Sequence, residues 1–326
     1  MPVRVGMFIP RGLGDPRTYG PPNHRQIVRY GQRADELGFD SLWVPDHFFI
    51  ERPKGVLNPY PEAWTTMTAL VMATRRARVG SMVLAAGFRH PAMLAKMAGA
   101  LQELAEGRLI LGIGAGNQPI EHAAFGLGFD ARVGRLDEYL RILTGLLAGE
   151  RVTLAGKHYH LTDASLLMPS PPVPIWIAAT GERMMRLTAR YAAGWNGGAA
   201  NFPDGEPLAA KLVDLRAACQ AAGRDFAEIE ISSFTNVIVS RRTSDVAAVV
   251  EMLREINGGI DESEARRRYV IGTPDEVLRG LQTQVRWGIN HFIISHGPHP
   301  SSLWSEETFD LFAREVMPEL KRTATA

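Results

Sequence analysis

The sequence lacks the features that mark several large classes of protein. It has one cysteine, Cys219, among 326 residues, so no internal disulfide can form, and a reducing compartment, the cytoplasm, is expected. Basic and acidic side chains number 36 and 35, and the resulting formal charge of +1 favours neither nucleic acid nor an anionic membrane as a partner. We therefore expect a small organic molecule as the partner.

Long apolar runs are also missing. The N-terminal MPVRVGMFIPRG has too short an apolar run for a signal peptide and predicts a first strand. The longest stretch without charge, residues 164–181, is interrupted by Pro169, Pro171, Pro172 and Pro174, which would disrupt a spanning helix. No interaction with a membrane is expected.

Motifs for several common chemistries are absent as well. The stretch LILGIGAGN, residues 109–117, does not fit the dinucleotide pattern G-x-G-x-x-G in either frame, because Asn117 or Pro119 takes the last glycine position. There is no Gly-Lys-Ser or Gly-Lys-Thr for a Walker loop and no G-x-S-x-G serine elbow. The histidine pairs 158/160 and 296/299 have no third ligand nearby in the sequence, so no metal site is predicted.

What the sequence does contain is a regular alternation of short apolar runs and amphipathic runs, which is typical of repeated βα units around a parallel sheet. Strands are predicted at residues 3–9, 41–45, 79–84, 109–113, 174–178, 194–197, 229–239 and 290–295. Helices are predicted at residues 25–37, from Pro91 to Gly107, 183–191, 206–222, 244–255, 274–286 and 305–320, with a further helix marked by Leu136, Leu140, Leu143 and Leu147.

This pattern predicts an α/β fold, a single (β/α)8 barrel with insertions, and residues 1–326 form one predicted domain because no linker or composition break divides them. Residues 151–160 predict a hairpin excursion. Three loops rich in Gly, Pro and charge, at residues 12–22, 49–61 and 257–268, are the predicted specificity loops.

Catalytic residues of such a barrel lie just past the C-terminal ends of its strands. Asp46 and His47 follow the second strand and could bind a polar ring edge or move a proton; alternatively, Asp46 only caps a turn. Ala115 and Asn117 follow the fourth strand and would face the barrel mouth. Thr180, Gly181 and Glu182 precede a helix, whose free amides predict a phosphate site.

These residues belong to four motifs that together resemble the luciferase-like flavin or deazaflavin oxidoreductases. The motifs are GFDSLWVPDHF, FRHPAMLAKMAGALQELAEGRLILGIGAGN, EHAAFG and PIWIAATGERMMRLTARYAAGWN, in that order, and the resemblance covers the chain from Val3 to about Leu320. It implies the luciferase-like barrel fold, a homodimer and a flavin-type cofactor. An Asp-His pair after the second strand resembles the branch that uses coenzyme F420, whereas the branch that uses FMN more often has Glu-His.

Residue roles follow from the same resemblance. Asp46 is implied to contact the polar edge of the deazaflavin, and His47 to stand near its reactive carbon as the catalytic acid or base. Met82 and Val83 occupy the position of a cis peptide bond behind the ring, and Thr180, Gly181 and Glu182 match the turn that holds the phosphate. Asn117 departs from the family's sugar-phosphate dehydrogenases, which have a glutamate there, and this argues against glucose 6-phosphate as substrate.

The expected function is therefore hydride transfer between coenzyme F420 and an organic substrate. A first alternative is an FMN-dependent monooxygenase of the same family, which would require dioxygen. A second alternative is a flavin-binding protein without catalytic activity, although the presence of both Asp46 and His47 gives this little support.

Overall fold

The computed structural model describes residues 2–9, 23–51, 55–168, 170–198, 206–256, 258–295 and 306–323. The predicted specificity loop at residues 12–22 lies outside these ranges, as do His296 and His299. Among the described residues, none of the helices combines the length and the apolar composition of a bilayer-spanning segment.

The strands are β1 (Arg4–Phe8), β2 (Ser41–Val44), β3 (Phe49–Glu51), β4 (Leu57–Pro59), β5 (Arg78–Ser81), β6 (Leu84–Ala85), β7 (Leu109–Gly114), β8 (Val152–Ala155), β9 (His160–Ala164), β10 (Ile175–Ala178), β11 (Gly194–Gly197), β12 (Glu230–Val239), β13 (Val270–Gly272) and β14 (His291–Ser295).

The helices are α1 (His24–Leu37), α2 (Ala63–Ala73), α3 (Pro91–Leu104), α4 (Pro119–Ala124), α5 (Arg132–Leu147), α6 (Glu182–Tyr191), α7 (Glu206–Ala221), α8 (Thr243–Ile256), α9 (Glu262–Arg268), α10 (Pro274–Arg286), α11 (Glu306–Leu311) and α12 (Met317–Arg322). A short 3-10 helix, Phe226–Glu228, precedes β12, and a π-helical segment, Phe312–Val316, joins α11 to α12.

Eight parallel strands form the closed sheet of a (β/α)8 barrel, which confirms the predicted fold class. Their order is β1, β2, β5, β7, β10, β11, β12 and β14, and β14 pairs again with β1. All six residues of β7 are buried, as expected of a parallel strand covered on both faces. In register, Gly6 of β1 lies beside Ser41 of β2, and Arg4 lies beside His291 of β14.

Packing divides the chain into two compact units. The first comprises residues 1–43, 197–213 and 230–326. Within it, Asp40 joins the N-terminal strand to the C-terminal helix, because its carboxylate accepts the N–H of Val5 at 2.7 Å and pairs with Lys321 at 2.8 Å. Phe39, the residue before Asp40, stacks on Phe309 with ring centroids 5.2 Å apart, so an apolar contact adds to these polar ones.

A buried polar chain lies in this first unit. Ser41 Oγ is 2.7 Å from His291 Nε2, and His291 Nδ1 is 2.5 Å from Glu230 Oε1. Trp43 Nε1 donates to Ser41 Oγ at 2.7 Å. Ser41 and His291 are fully buried, so this Ser-His-Glu chain has no access to a substrate and serves the fold.

The second unit comprises residues 44–196 and 214–229. The predicted hairpin is present as antiparallel β8 and β9. Glu138 on α5 fastens its turn by accepting the backbone N–H groups of Lys157, His158 and Tyr159 at 2.8 to 3.0 Å. Burial raises the pKa of Glu138, but these three donors outweigh that effect and lower it below the usual value.

Some local elements were not predicted. Helix α2 was not predicted, because its apolar residues are spread around the helix and Met72 is 65% exposed while Met67 and Leu70 are buried. The predicted loop 49–61 contains the hairpin of β3 and β4, and the predicted loop 257–268 contains α9. Asp261 caps α9 by accepting the N–H of Glu264 at 2.7 Å, a local signal that composition alone hides.

Candidate active site

The predicted site residues all belong to the second unit and follow strand ends. Asp46 and His47 come after β2, Met82 and Val83 separate β5 from β6, and Ala115 and Asn117 come after β7. Thr180, Gly181 and Glu182 lie between β10 and the first turn of α6. The strand-end rule therefore located these segments correctly in the chain.

His47 is held by a carboxylate that the sequence did not single out. Its Nδ1 lies 2.7 Å from Oε1 of Glu121, and the other oxygen of Glu121 accepts the N–H of Phe48 at 2.9 Å. The Glu121 side chain is fully buried, whereas that of His47 is 21% exposed. The imidazole is thus the accessible end of a buried pair.

Asp46 is engaged with Arg89 rather than with the turn that follows it. Its Oδ2 accepts from Arg89 Nη1 at 2.7 Å and from the N–H of Ala85 at 3.0 Å, and its Oδ1 accepts from Arg89 Nη2 at 3.1 Å. Nη2 of Arg89 also donates to Glu62 at 2.6 Å. Arg89 therefore ties the segment after β2 to the segment after β6 and to the start of α2.

The opposite charges of Arg89 and Glu62 each shift the pKa of the other group towards its charged form. Burial lowers the pKa of Arg89, but hydrogen bonds and charge attraction from Asp46 and Glu62 raise it above its ordinary value. Burial raises the pKa of Glu62, while the backbone N–H groups of Thr65 and Trp64 together with Arg89 lower it overall. Two hydrogen bonds from Arg89 and one from the N–H of Ala85 fix the orientation of Asp46.

Between β5 and β6 the Met82–Val83 peptide bond is cis, as the resemblance implied. Val83 is close to β7, because a Cβ added to Gly114 would lie 2.6 Å from Val83 Cγ2. Gly116 has φ +86°, and a Cβ there would lie 2.9 Å from the ring of His122. These two glycines make room for this protein's own side chains.

The start of α6 has the form of an anion site. Gly181 is its N-cap residue and gives no side-chain hydrogen bond, and open space surrounds the position of its missing Cβ. The first amides of the helix therefore have no side-chain cap. The Glu182 carboxylate pairs with Arg186 one turn along, so its backbone N–H, rather than its side chain, is suited to a phosphate.

An aromatic cluster adjoins His47. Phe48 stacks on Phe88 with centroids 4.5 Å apart and on Phe125 at 3.9 Å, and Tyr60 meets the edge of the His47 ring at 5.5 Å. Phe125 is 54% exposed, so the cluster reaches the surface. Of these rings, the ring of Tyr60 is the one that contacts the imidazole of His47.

The structure thus joins Asp46 to Arg89 and His47 to Glu121 in two hydrogen-bonded pairs. Ala115 is half-buried and Asn117 is exposed. Sequence reasoning missed Glu121, although it is the first residue of the quoted EHAAFG motif, and it missed Glu62. Among the residues that the structure describes, no group of three His, Cys, Asp or Glu side chains could hold a metal ion.

A (β/α)8 barrel with a carboxylate-bound histidine after one strand and an uncapped helix start after another defines an enzyme-like barrel suited to a phosphorylated coenzyme. The sequence matches the profile of the luciferase-like monooxygenases over residues 3–291. The chain therefore belongs to the luciferase-like monooxygenase family.

Individual relatives agree with this membership. The chain is 31% identical to the F420-dependent glucose-6-phosphate dehydrogenase of Intrasporangium calvum, over 93% of this chain and 96% of that protein. It is 30% identical to the enzyme of the same name from Mycolicibacterium smegmatis, over 92% of this chain and 95% of that protein.

Solved structures show the same fold. The monooxygenase RslO1 from Streptomyces bottropensis gives a TM-score of 0.81 at 25% identity, over 97% of this chain and 99% of that chain. An F420-dependent secondary alcohol dehydrogenase gives 0.80 at 22% identity, over 98% of this chain and 99% of that chain.

Proposed function

We propose that this chain transfers a hydride between coenzyme F420 and a small organic substrate, with His47 moving the accompanying proton. The chain is an F420-dependent oxidoreductase of its family, in keeping with the curated relatives that match it over more than nine-tenths of its length. The observation that carries the role of His47 is its geometry, a partly exposed imidazole anchored to a fully buried carboxylate.

The residues present fit such a coenzyme. The uncapped amides after Gly181 suit its phosphate, and the neutral Thr180 beside them adds no repulsion. Oδ1 of Asp46 accepts a hydrogen bond from Arg89 Nη2 at 3.1 Å, and its second lone pair suits a ring N–H. We assign Met82, Val83, Ala115 and Asn117 to the walls of the ring site. When bound, the coenzyme supplies the carbon that accepts or releases the hydride.

His47 is suited to the proton that accompanies the hydride. Imidazole can accept or donate a proton near neutral pH, and the side chain keeps partial access to solvent. The ring of Tyr60 meets the edge of the imidazole at a centroid distance of 5.5 Å and adds an apolar contact beside it. We expect the substrate to differ from glucose 6-phosphate, because Asn117 has no proton to exchange where the sugar-phosphate enzymes have a carboxylic acid.

The cofactor is tested by titrating the purified protein with coenzyme F420 and, separately, with FMN, following absorbance and fluorescence. We expect saturable binding of coenzyme F420 at a lower concentration than FMN. Anaerobic turnover on a panel of alcohols, aldehydes and sugar phosphates then tests the reaction, since hydride transfer to the deazaflavin needs no oxygen. Tighter binding of FMN with oxygen-dependent turnover would overturn the proposal.

That outcome is the second candidate function, an FMN-dependent monooxygenase. It has one specific observation in its favour, the likeness to the monooxygenase RslO1 at 25% identity. A third outcome, tight cofactor binding without turnover on the whole panel, would indicate the non-enzymatic flavin-binding protein.

We further propose that the protein is a homodimer of the cytoplasm. The family resemblance supports the dimer, and the single buried thiol of Cys219 suits a reducing compartment. Light scattering on the purified chain tests the dimer, because a monomer mass at micromolar concentration would contradict it.

A further inference from the structure

Glu121 lies in the first turn of α4, with Pro119 at the start of the helix. Both of its oxygens have partners. Oε1 lies 2.7 Å from Nδ1 of His47, and Oε2 accepts the N–H of Phe48 at 2.9 Å. Its side chain is fully buried, so it cannot contact a substrate directly. Any effect of Glu121 on the reaction must therefore pass through His47.

The hydrogen between Glu121 and His47 can sit on either partner. An ionised carboxylate only accepts hydrogen bonds, and Oε2 already accepts from Phe48. Imidazole is a stronger base than carboxylate, so the hydrogen belongs on Nδ1 of His47. In neutral His47 this leaves Nε2 without a hydrogen, as a base with a free lone pair.

We propose that Glu121 is a positioning residue that fixes His47 in the Nδ1–H tautomer and makes Nε2 the atom that exchanges the substrate proton. This inference rests on the proposed function for its kinetic consequence, and on geometry alone for the tautomer. When the substrate carbon gives up a hydride to the coenzyme, the neighbouring O–H or N–H bond breaks, its electron pair completes the new C=O or C=N bond, and its proton forms a bond to Nε2. The resulting imidazolium is balanced by the Glu121 carboxylate, and the reverse reaction returns the proton.

Long-range proton–nitrogen NMR of protein labelled with ¹⁵N-histidine tests the tautomer without cofactor or substrate. The signals of His47 are assigned among the nine histidines by their loss in His47→Asn. In the wild type at a pH where His47 is neutral, we expect the hydrogen on Nδ1. In Glu121→Gln the amide NH₂ competes for the position facing Nδ1, so we expect a shift towards the Nε2–H tautomer.

Kinetics test the catalytic consequence with the panel substrate that the wild type turns over fastest. Glu121→Gln should lower kcat by about 10²-fold and change KM by less than about threefold, because the residue orients the base and does not contact substrate. Glu121→Asp keeps the carboxylate, so its kcat should be at least about tenfold higher than that of Glu121→Gln. In His47→Asn, adding Glu121→Gln should change kcat little, because Glu121 acts through His47.

Glu230→Gln is the matched control, since it makes the same change in the other His-Glu pair. It should leave the His47 tautomer and kcat unchanged. A wild-type tautomer in both Glu121 variants, or an aspartate variant no better than the glutamine variant, overturns the inference. If the wild type turns over no panel substrate, the proposed function fails, while the NMR comparison still decides whether Glu121 sets the tautomer.

Discussion

Two histidine–glutamate pairs in this molecule have nearly the same local geometry and opposite surroundings. His47 Nδ1 lies 2.7 Å from Glu121, and His291 Nδ1 lies 2.5 Å from Glu230. His47 follows the end of β2 and is 21% exposed, whereas His291 begins β14 and is fully buried. At His291 the second nitrogen is taken by Ser41 Oγ at 2.7 Å.

The difference is the one expected between the pair that we propose to be reactive and a structural pair. In a (β/α)8 barrel, residues past the C-terminal ends of strands carry function and residues at the N-terminal ends carry stability. Both nitrogens of His291 are hydrogen-bonded to polar groups of the protein, so neither is available to a substrate. His47 has one nitrogen bound by the protein and keeps an accessible ring, which suits proton transfer.

The strongest test of this comparison removes the imidazole of His47. His47→Asn keeps a donor near the Nδ1 position for Glu121 but has no proton-transferring nitrogen. We expect kcat to fall by about 10³-fold, within the range of general acid–base catalysis, with the urea midpoint unchanged.

His90→Asn is a matched control, because His90 caps α3 by accepting the N–H of Ala92 at 3.3 Å and asparagine is a good cap. It should keep full activity. Equal losses of kcat in the two variants would contradict the special role of His47.

The next test removes the other imidazole. His291→Ala leaves Ser41 and Glu230 without their partner in a buried place, so we expect the free energy of unfolding to fall by about 3 kcal/mol. Urea denaturation measures this loss. The folded fraction should keep the wild-type kcat, and a large loss of kcat per folded molecule would show that this pair is not purely structural.

The sequence was informative where a pattern is local. Alternating apolar runs predicted the eight barrel strands, which the structure confirms, whereas the roles of His47 and of the turn at Gly181 stay predictions. Glu121 was missed because its partner is 74 residues away, and no local pattern shows which of 35 acidic residues will be buried against His47. Ser41, His291 and Glu230 were missed for the same reason, since strand pairing alone brings them together.

A smaller effect is expected from filling the space beside the buried chain. A Cβ added to Gly6 would lie 2.1 Å from Ser41 Oγ and 2.7 Å from Trp43 Nε1. Gly6→Ala should therefore displace the serine from His291 and lower the free energy of unfolding by about 2 kcal/mol.

Gly114→Ala is the counterpart beside the active site, where the nearest atom is Val83 Cγ2 at 2.6 Å. It should lower stability by about 1 kcal/mol, because a side-chain methyl yields more easily than a hydrogen-bonded hydroxyl. Thermal or urea unfolding of both variants gives the comparison. A greater loss of stability for Gly114→Ala than for Gly6→Ala would show that the surroundings of Gly114 are the more rigid of the two.

The smallest change in stability is expected at the start of α6. Gly181 has φ −94° and open space around its missing Cβ, so Gly181→Asp can cap the helix and raise stability by a few tenths of a kcal/mol. The same carboxylate would occupy the place that we propose for the coenzyme phosphate and would repel it. We expect the Kd for coenzyme F420 to rise by about tenfold or more, since a like charge near a phosphate costs at least about 1.4 kcal/mol.

Two further variants serve as controls. Gly181→Asn adds a cap without charge and Gly181→Ala adds only a methyl group, so titrating all three variants with the coenzyme separates the effect of charge from that of shape. If the aspartate variant bound the coenzyme as well as the alanine variant, the phosphate would have to lie elsewhere, and the helix start would join His291 among the features that serve only the fold.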